Sequence, residues 1–541
     1  MFGLLLPILG LPHAALALPQ NAGSSQVSGS LSGADRVALH DGLLTRFDAE
    51  SGNAECLTGL ILTLKQNWEI FTPAERSRMT AVLAPFKADL LEPLPPSAAS
   101  LQEATSSAAP PSSFASDSCF GQQEENQVFG DHFVVEWNTG STNQSAAEAF
   151  LADLEFAYTA EVEELGWNAP STDGRYLMLV MVSDQNMGGA YTTVDSCGGV
   201  YAPYIVVGKD VVSAGSWTHE MAAHEFNHSL QFNTSFAPEE WWWEATATYV
   251  QGVVRTSTNW ADYVTGYSQQ PYIALGASSQ SDQDVFYHMY GMMIWGLYLD
   301  NWQGGGDVVR QTWENAESVR AQYSYGAEEM VNDLGLDWRS VYIDFITRNA
   351  AMDYDQSSVL PSINIEARVD TLPASGEGAG GSRPQGYGQN YIRIEAGAGE
   401  GDLVVDFAGD ADVDWAVVLA ERSGNTVLRS VSSVVTGGSG QVTMDAIGAE
   451  DVYLIVSPLS GSETKRDYSW DASILPSAPV DTGSGTEDTA GAGNGNGKGA
   501  GNEKGGCACS AAPATGGGAL GVLGGLSVLA ATVARRRRST R

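Results

Sequence analysis

Residues 217–231 read WTHEMAAHEFNHSLQ, and residues 239–250 just downstream read EEWWWEATATYV. The first stretch contains His224-Glu225-Phe226-Asn227-His228, an H-E-x-x-H. On a helix, positions i and i+4 lie one turn apart on the same face, so His224 and His228 can aim both imidazoles at one ion. Glu225 stands beside the pair, where it can hold a water bound to the ion. A catalytic zinc, Zn2+, takes three protein ligands and keeps a fourth position open, so two His need one more ligand.

The third ligand decides the class. A metzincin needs a further His in H-E-x-x-H-x-x-G-x-x-H, but Gln231 and Thr234 stand at the Gly and His positions. Pro238 ends the first helix, and residues 239–254 predict a second. On it Glu240, Glu244, Thr248 and Gln251 share a face. Glu244 is the expected ligand, because the alanines and threonines after it let two helices approach closely. Glu240, one turn earlier, is the rival, as a ligand or as a group supporting one. The three tryptophans 241–243 are about 100° apart on a helix, so at least one is expected at the cleft rim or against a neighbouring domain. His219-Glu220 imitates the motif but has Ala223 where the second His belongs.

This layout resembles the Glu-liganded zincins, the gluzincins, with a shorter spacing from His228 to Glu244 than their thermolysin-like and aminopeptidase-like members. The resemblance implies an α+β zincin catalytic domain over residues 119–358. The chain before the motif fits that order. Residues 132–138 predict a strand, 141–165 a helix, 176–184 a buried strand and 200–208 a further strand. Residues 186–199 between the last two read as a glycine-rich loop. In a zincin an edge strand pairs with the extended substrate, and Val200–Val207 is the expected one. After the motif, residues 285–302 predict one helix. The resemblance implies a Tyr or His there that donates to the oxyanion, and Tyr290 and His288 are the candidates. HEFNHSLQF, WWWEATA and YGMMIWGLYL together are similar to a family of myxobacterial metalloproteases, over roughly residues 133–350.

The net charge of −38 over 541 residues excludes a basic nucleic-acid surface. Residues 1–18 read as a signal peptide with an A-x-A-like cleavage site. Residues 19–91 predict a helical N-terminal region, with Thr72-Pro73-Ala74-Glu75 as a helix start and a possible role as a propeptide. Residues 92–118, rich in Pro, Ser and Ala, read as a linker. Among Cys56, Cys119 and Cys197, a disulfide from Cys56 to either of the others is expected in an oxidising compartment.

Residues 359–475 carry short alternating segments between Gly, Asp and Asn turns, as in an antiparallel β-sandwich. Residues 476–506 read as a flexible stalk. In residues 507–541 a Cys-Ala-Cys-Ser, a short apolar stretch and an Arg cluster follow one another. This end resembles the MYXO-CTERM sorting tag, which implies export, processing and display at the cell surface, with contact to the membrane through the tag.

The sequence thus predicts a secreted or surface-anchored zinc endopeptidase acting on proteins or peptides. His224, His228 and Glu244 hold the metal, and Glu225 is the general base. The alternative is a surface adhesin on a zincin scaffold that has lost catalysis.

Overall fold

The continuous apolar run Met178–Val182 forms the middle strand of a five-stranded sheet. A computed structural model describes residues 118–475 apart from 171–175, 198–199, 213–214, 256–259, 280–281, 320–323, 400 and 448–449. It also describes residues 67–83 and single positions between 37 and 64. The expected signal peptide, most of the linker, the stalk and the C-terminal tag lie outside the described residues. Among the described residues no helix is long and apolar enough to cross a membrane.

The sheet comprises β1 (Asn126–Phe129), β2 (Phe133–Trp137), β3 (Met178–Val182), β4 (Ala190–Cys197) and β5 (Val200–Val207), in the order β1-β2-β3-β5-β4. The three inner strands are parallel, and the two outer ones pair antiparallel. Alternate residues face opposite sides. Val135, Trp137, Val180, Val182, Ile205 and Val207 join the core shared with the later helices. Val134, Leu179, Met181, Tyr204 and Val206 pack instead on Leu43, Ile61, Leu64, Trp68, Phe71 and Met79 of the N-terminal region. A sheet covered on both faces needs uninterrupted apolar strands. The described part of the covering region includes α1 (Pro73–Leu83), where Thr72 and Glu75 cap each other: Thr72 N donates to Glu75 Oε2 at 2.8 Å and Glu75 N to Thr72 Oγ1 at 3.3 Å.

The sheet corrects the expected edge. Val200–Val207 lies inside, between β3 and β4, and the edge next to it is Ala190–Cys197, part of the segment read as a loop. Flanking glycines gave that segment a loop-like composition. Its Thr192-Thr193-Val194 is β-branched and supplies the strand preference.

Helix α2 (Gln144–Tyr158) starts on an Asn143 cap and runs into a π-helical turn, Thr159–Glu164. Helices α3 (Ser216–Thr234) and α4 (Glu240–Val254) follow the sheet, and α3 packs on α2, α4, β4 and β5. Then come α5 (Val264–Gln269), α6 (Gln283–Gly291) and α7 (Met293–Trp302). The single helix expected over 285–302 is broken at Met292. A Cβ on Gly291 would stand 2.3 Å from Tyr267 N, so α5 crosses there at backbone contact. Helices α8 (Gly306–Ala316), α9 (Ala327–Asp333) and α10 (Trp338–Asn349) complete this half.

The C-terminal part has two sheets around one core that includes Leu403, Phe407, Trp415, Leu419, Leu454 and Trp470. One sheet orders β11 (Thr426–Val435), β10 (Trp415–Ser423), β13 (Asp451–Pro458), β8 (Asn390–Ile394) and β6 (Ala367–Val369). The other orders β12 (Ser439–Ile447), β9 (Gly401–Gly409), β14 (Tyr468–Leu475) and β7 (Ala374–Glu377). Every pairing is antiparallel except β6 with β8, which is parallel. The outer face of the first sheet is also buried. Ala416, Val418, Ala420, Tyr453 and Ile455 join the helical core, and Tyr391 Oη donates to Ile346 O at 3.0 Å.

Candidate metal centre

Helix α3 buries Met221, Ala222, Ala223, Phe226 and Leu230, which fixes its rotation against the sheet and helices. That rotation turns His224 and His228 toward α4. Ala245 and Ala247 let α4 come close, and Glu244 meets the pair. His224 Nε2 and His228 Nε2 are 3.2 Å apart, and Glu244 Oε2 lies 3.3 Å from the first and 3.5 Å from the second. Among the described residues these three form the one group of His, Cys, Asp and Glu placed to bind a metal. All three are buried.

The surrounding hydrogen bonds set the tautomers. Gln251 Nε2 donates to Glu220 Oε2 at 3.2 Å, which turns Gln251 Oε1 toward His224 Nδ1 at 3.1 Å. Gln231 Nε2 donates to Trp243 O at 3.1 Å and to Asn227 Oδ1 at 3.0 Å, which turns Gln231 Oε1 toward His228 Nδ1 at 2.7 Å. An amide oxygen only accepts, so both Nδ1 atoms carry the proton and both Nε2 atoms keep a lone pair. Two imidazole lone pairs and a carboxylate oxygen then face one point, an arrangement that a cation satisfies. Without one, the group competes for protons. Burial opposes charge on His228, yet the neighbouring Glu244 raises its pKa overall. Burial also works against the Glu244 carboxylate, but His228 and His224 hold it well below the usual range.

Glu225 is fully buried beside the group. Its Oε2 accepts from Thr192 Oγ1 of β4 at 2.7 Å and from Thr58 Oγ1 of the N-terminal region at 3.5 Å. Thr58 Oγ1 in turn accepts from Thr192 N at 2.9 Å. Glu225 Oε1 is buried without a hydrogen-bond partner among the described residues.

The other expected residues fall in different places. Tyr290 stacks on His224, with ring centroids 6.0 Å apart and planes 16° from parallel. His288 is two residues away, about 200° around the helix, and packs on Tyr267 instead. Burial pushes its pKa down to about 3, so it is neutral. Glu240 is outside the converging group and accepts from Ser278 Oγ at 3.4 Å. His219 pairs with Asp153 at 2.6 Å. Trp241, Trp242 and Trp243 are all buried, because α4 has neighbours on every side. Trp242 donates to Thr312 Oγ1, and Trp243 lies along His228 with ring centroids 6.4 Å apart. Cys119 is disulfide-bonded.

The sequence did not assign roles to Gln231, Gln251, Thr192, Thr58 and Glu161. Gln231 lies three residues after His228 and Gln251 seven after Glu244, so helical spacing alone could have suggested them. Glu161 in the π turn accepts from Asn227 Nδ2 at 3.0 Å, and burial holds its carboxyl well above the usual range. That contact spans 66 residues and leaves no local signal.

Residues 102–426 match the model of a family of unknown function (DUF6055). No curated protein matches. Among solved structures, tripeptidyl peptidase 2 (TPP II) is 10% identical with a TM-score of 0.16, over 22% of this chain and 12% of that one. The pre-peptidase C-terminal domain of collagenase from Bacillus anthracis is 13% identical with a TM-score of 0.15, over 21% of this chain and 98% of that one. Aminopeptidase A from Legionella pneumophila, in complex with aspartic acid, is 10% identical with a TM-score of 0.29, over 62% of this chain and 34% of that one. The chain thus spans a minor part of the first and third of these proteins. At these scores the likenesses fix neither fold nor activity.

Proposed function

The chain belongs to DUF6055, a family of unknown function, and from the geometry of its site we propose that it is a zinc-dependent endopeptidase with a zincin-like catalytic half. The observation that carries the proposal is the triangle of ligand atoms. Tetrahedral neighbours at zinc–nitrogen and zinc–oxygen distances of about 2.0–2.1 Å stand about 3.3 Å apart. The three edges here are 3.2, 3.3 and 3.5 Å. Two neutral imidazoles with a carboxylate are a donor set that suits zinc and leaves its fourth position open.

A zinc ion held by His224, His228 and Glu244 would polarise a peptide carbonyl and bring the pKa of water to about 7. The chain supplies the rest. Thr192 fixes one oxygen of Glu225, and the unpaired Oε1 takes the proton of the attacking water and returns it to the leaving amine. Tyr290, held flat against His224, is the candidate donor to the developing oxyanion. The β4 edge, beside α3, offers main-chain groups to an extended peptide. An intact, buried Glu225 favours this reading over a binding protein without catalysis.

The exported location belongs to the same proposal and rests on the sequence of the two termini. Deleting residues 507–541 is expected to release the protein into the medium.

Zinc content and digestion of casein by the purified full chain test the activity. The wild type should hold zinc and lose activity to a chelator. Glu225→Gln should keep zinc and lose hydrolysis, by about 100-fold or more. Near-normal hydrolysis by that variant would exclude Glu225 as the base.

A further inference from the structure

A cavity of about 500 Å³ opens at the start of α3, on the helix that carries His224. Its walls include Trp217, Glu220, Asp262, Tyr263 and Tyr287. Glu220 lies one turn before His224 on the same face of α3, about 6 Å along the axis. It is tied to that ligand through Gln251, by contacts of 3.2 and 3.1 Å. On the other side, Tyr263 stacks on Tyr290 with centroids 6.0 Å apart, and Tyr290 stacks on His224 at 6.0 Å. The cavity is therefore joined to His224 by two chains of contact, each through one intervening side chain.

The lining has a definite chemistry. Three aromatic side chains give it apolar walls, two carboxylates stand on it, and none of its lining residues is Lys, Arg or His. Glu220 is buried and Asp262 is exposed, so one carboxylate is set deep and the other at the surface. The faces of Trp and Tyr attract a cation, and their bodies pack against an alkyl stem. A carboxylate pairs with a guanidinium or ammonium head. The net charge of −38 adds long-range attraction for a basic peptide.

We propose that this cavity is a specificity subsite that takes an Arg or Lys side chain of the peptide substrate. The proposal rests on the peptidase reading for its place in a reaction, and on the cavity alone for its ligand.

Binding and hydrolysis test the two separately. Three blocked peptides, alike except for one central Arg, Leu or Glu, are titrated into zinc-loaded full-length Glu225→Gln protein, with Trp fluorescence as the readout. The Arg peptide should bind tightest, by about tenfold over Leu and more over Glu. Asp262→Arg, in the same background, should reverse the order of Arg and Glu. Equal binding of the three, or tightest binding of Leu, would overturn the subsite. The same order kept in Asp262→Arg would overturn it as well. Hydrolysis by the wild type is then measured on the same peptides. Arg-selective binding without cleavage would sink the peptidase reading and leave the subsite standing. Cleavage without Arg-selective binding would do the reverse.

Discussion

Replacing Gln251 by Met keeps the length of a buried side chain and removes two hydrogen bonds. One is the acceptor 3.1 Å from His224 Nδ1, the other the donor 3.2 Å from Glu220 Oε2. The loss at His224 differs between the two states of the site. Without metal, the imidazole can move its proton to Nε2 and relieve the unpaired Nδ1. With metal, Nε2 is occupied and Nδ1–H must stay, buried and without an acceptor. Stranding such a donor costs about 1–3 kcal/mol. That cost falls on the metal-bound form, so it reads out as affinity. It corresponds to a loss of about 10–100-fold, the range seen when a residue supporting a metal ligand is removed. A chelating dye in competition with the full-length protein measures it. Thermal melts with and without zinc provide the control, since the metal-dependent rise in Tm should shrink while the metal-free Tm changes less. Wild-type zinc affinity in a folded Gln251→Met protein would refute the tautomer argument, and with it the reason for the lone pairs facing each other.

Gln231→Met should weaken zinc binding in the same competition assay, because it strands His228 Nδ1 in the metal-bound form, and should lower the metal-free Tm more than Gln251→Met does, because Trp243 O and Asn227 Oδ1 lose a donor in both states. Thr58→Val should lower kcat several-fold with zinc content unchanged, since Glu225 Oε2 loses one of its two hydroxyl donors; an unchanged kcat would exclude a positioning role for the N-terminal region. Gly291→Ala should lower Tm by the equivalent of about 1–3 kcal/mol or more, because its Cβ would meet Tyr267 N at 2.3 Å. Burial, with Asp184 and Glu136 nearby, raises the Glu124 carboxyl to about 7 from 4.5. A raised folded pKa on an acid means that stability is lost as pH climbs from the unfolded value through the folded one. Glu124→Gln should therefore raise Tm at pH 8 and leave it little changed near pH 4, as calorimetry at the two pH values would show.

The meeting of His224, His228 and Glu244 was legible because all three lie on two consecutive helices. Helical spacing and the small residues after Glu244 together define one shared face. The strands of the C-terminal part were legible from their alternation, except β6 and β7, which at three and four residues are too short for a period to register. What escaped came from misleading local composition or from distance in the chain. The sheet edge was misplaced because glycines around Ala190–Cys197 mimic a loop. The break at Met292 depends on α5 arriving from another segment, at backbone contact with Gly291. Thr58 is 167 residues from Glu225, and no local pattern announces a contact of that span.

The N-terminal region was read first as a segment that maturation might discard, but the sheet gives it a second standing. Leu179, Met181, Tyr191, Tyr204 and Val206 are covered by its Leu43, Ile61, Leu64, Trp68 and Phe71. A protease that cuts between residues 83 and 118 would sever the chain without freeing the piece. The piece would stay seated by its apolar contacts, since leaving would bare one whole face of a central sheet to water. A nick would then produce a two-chain protein that purifies as one particle and separates only in denaturant. Its working form would be a complex of its own two fragments, and continuity of the backbone would be a poor guide to whether the molecule is whole.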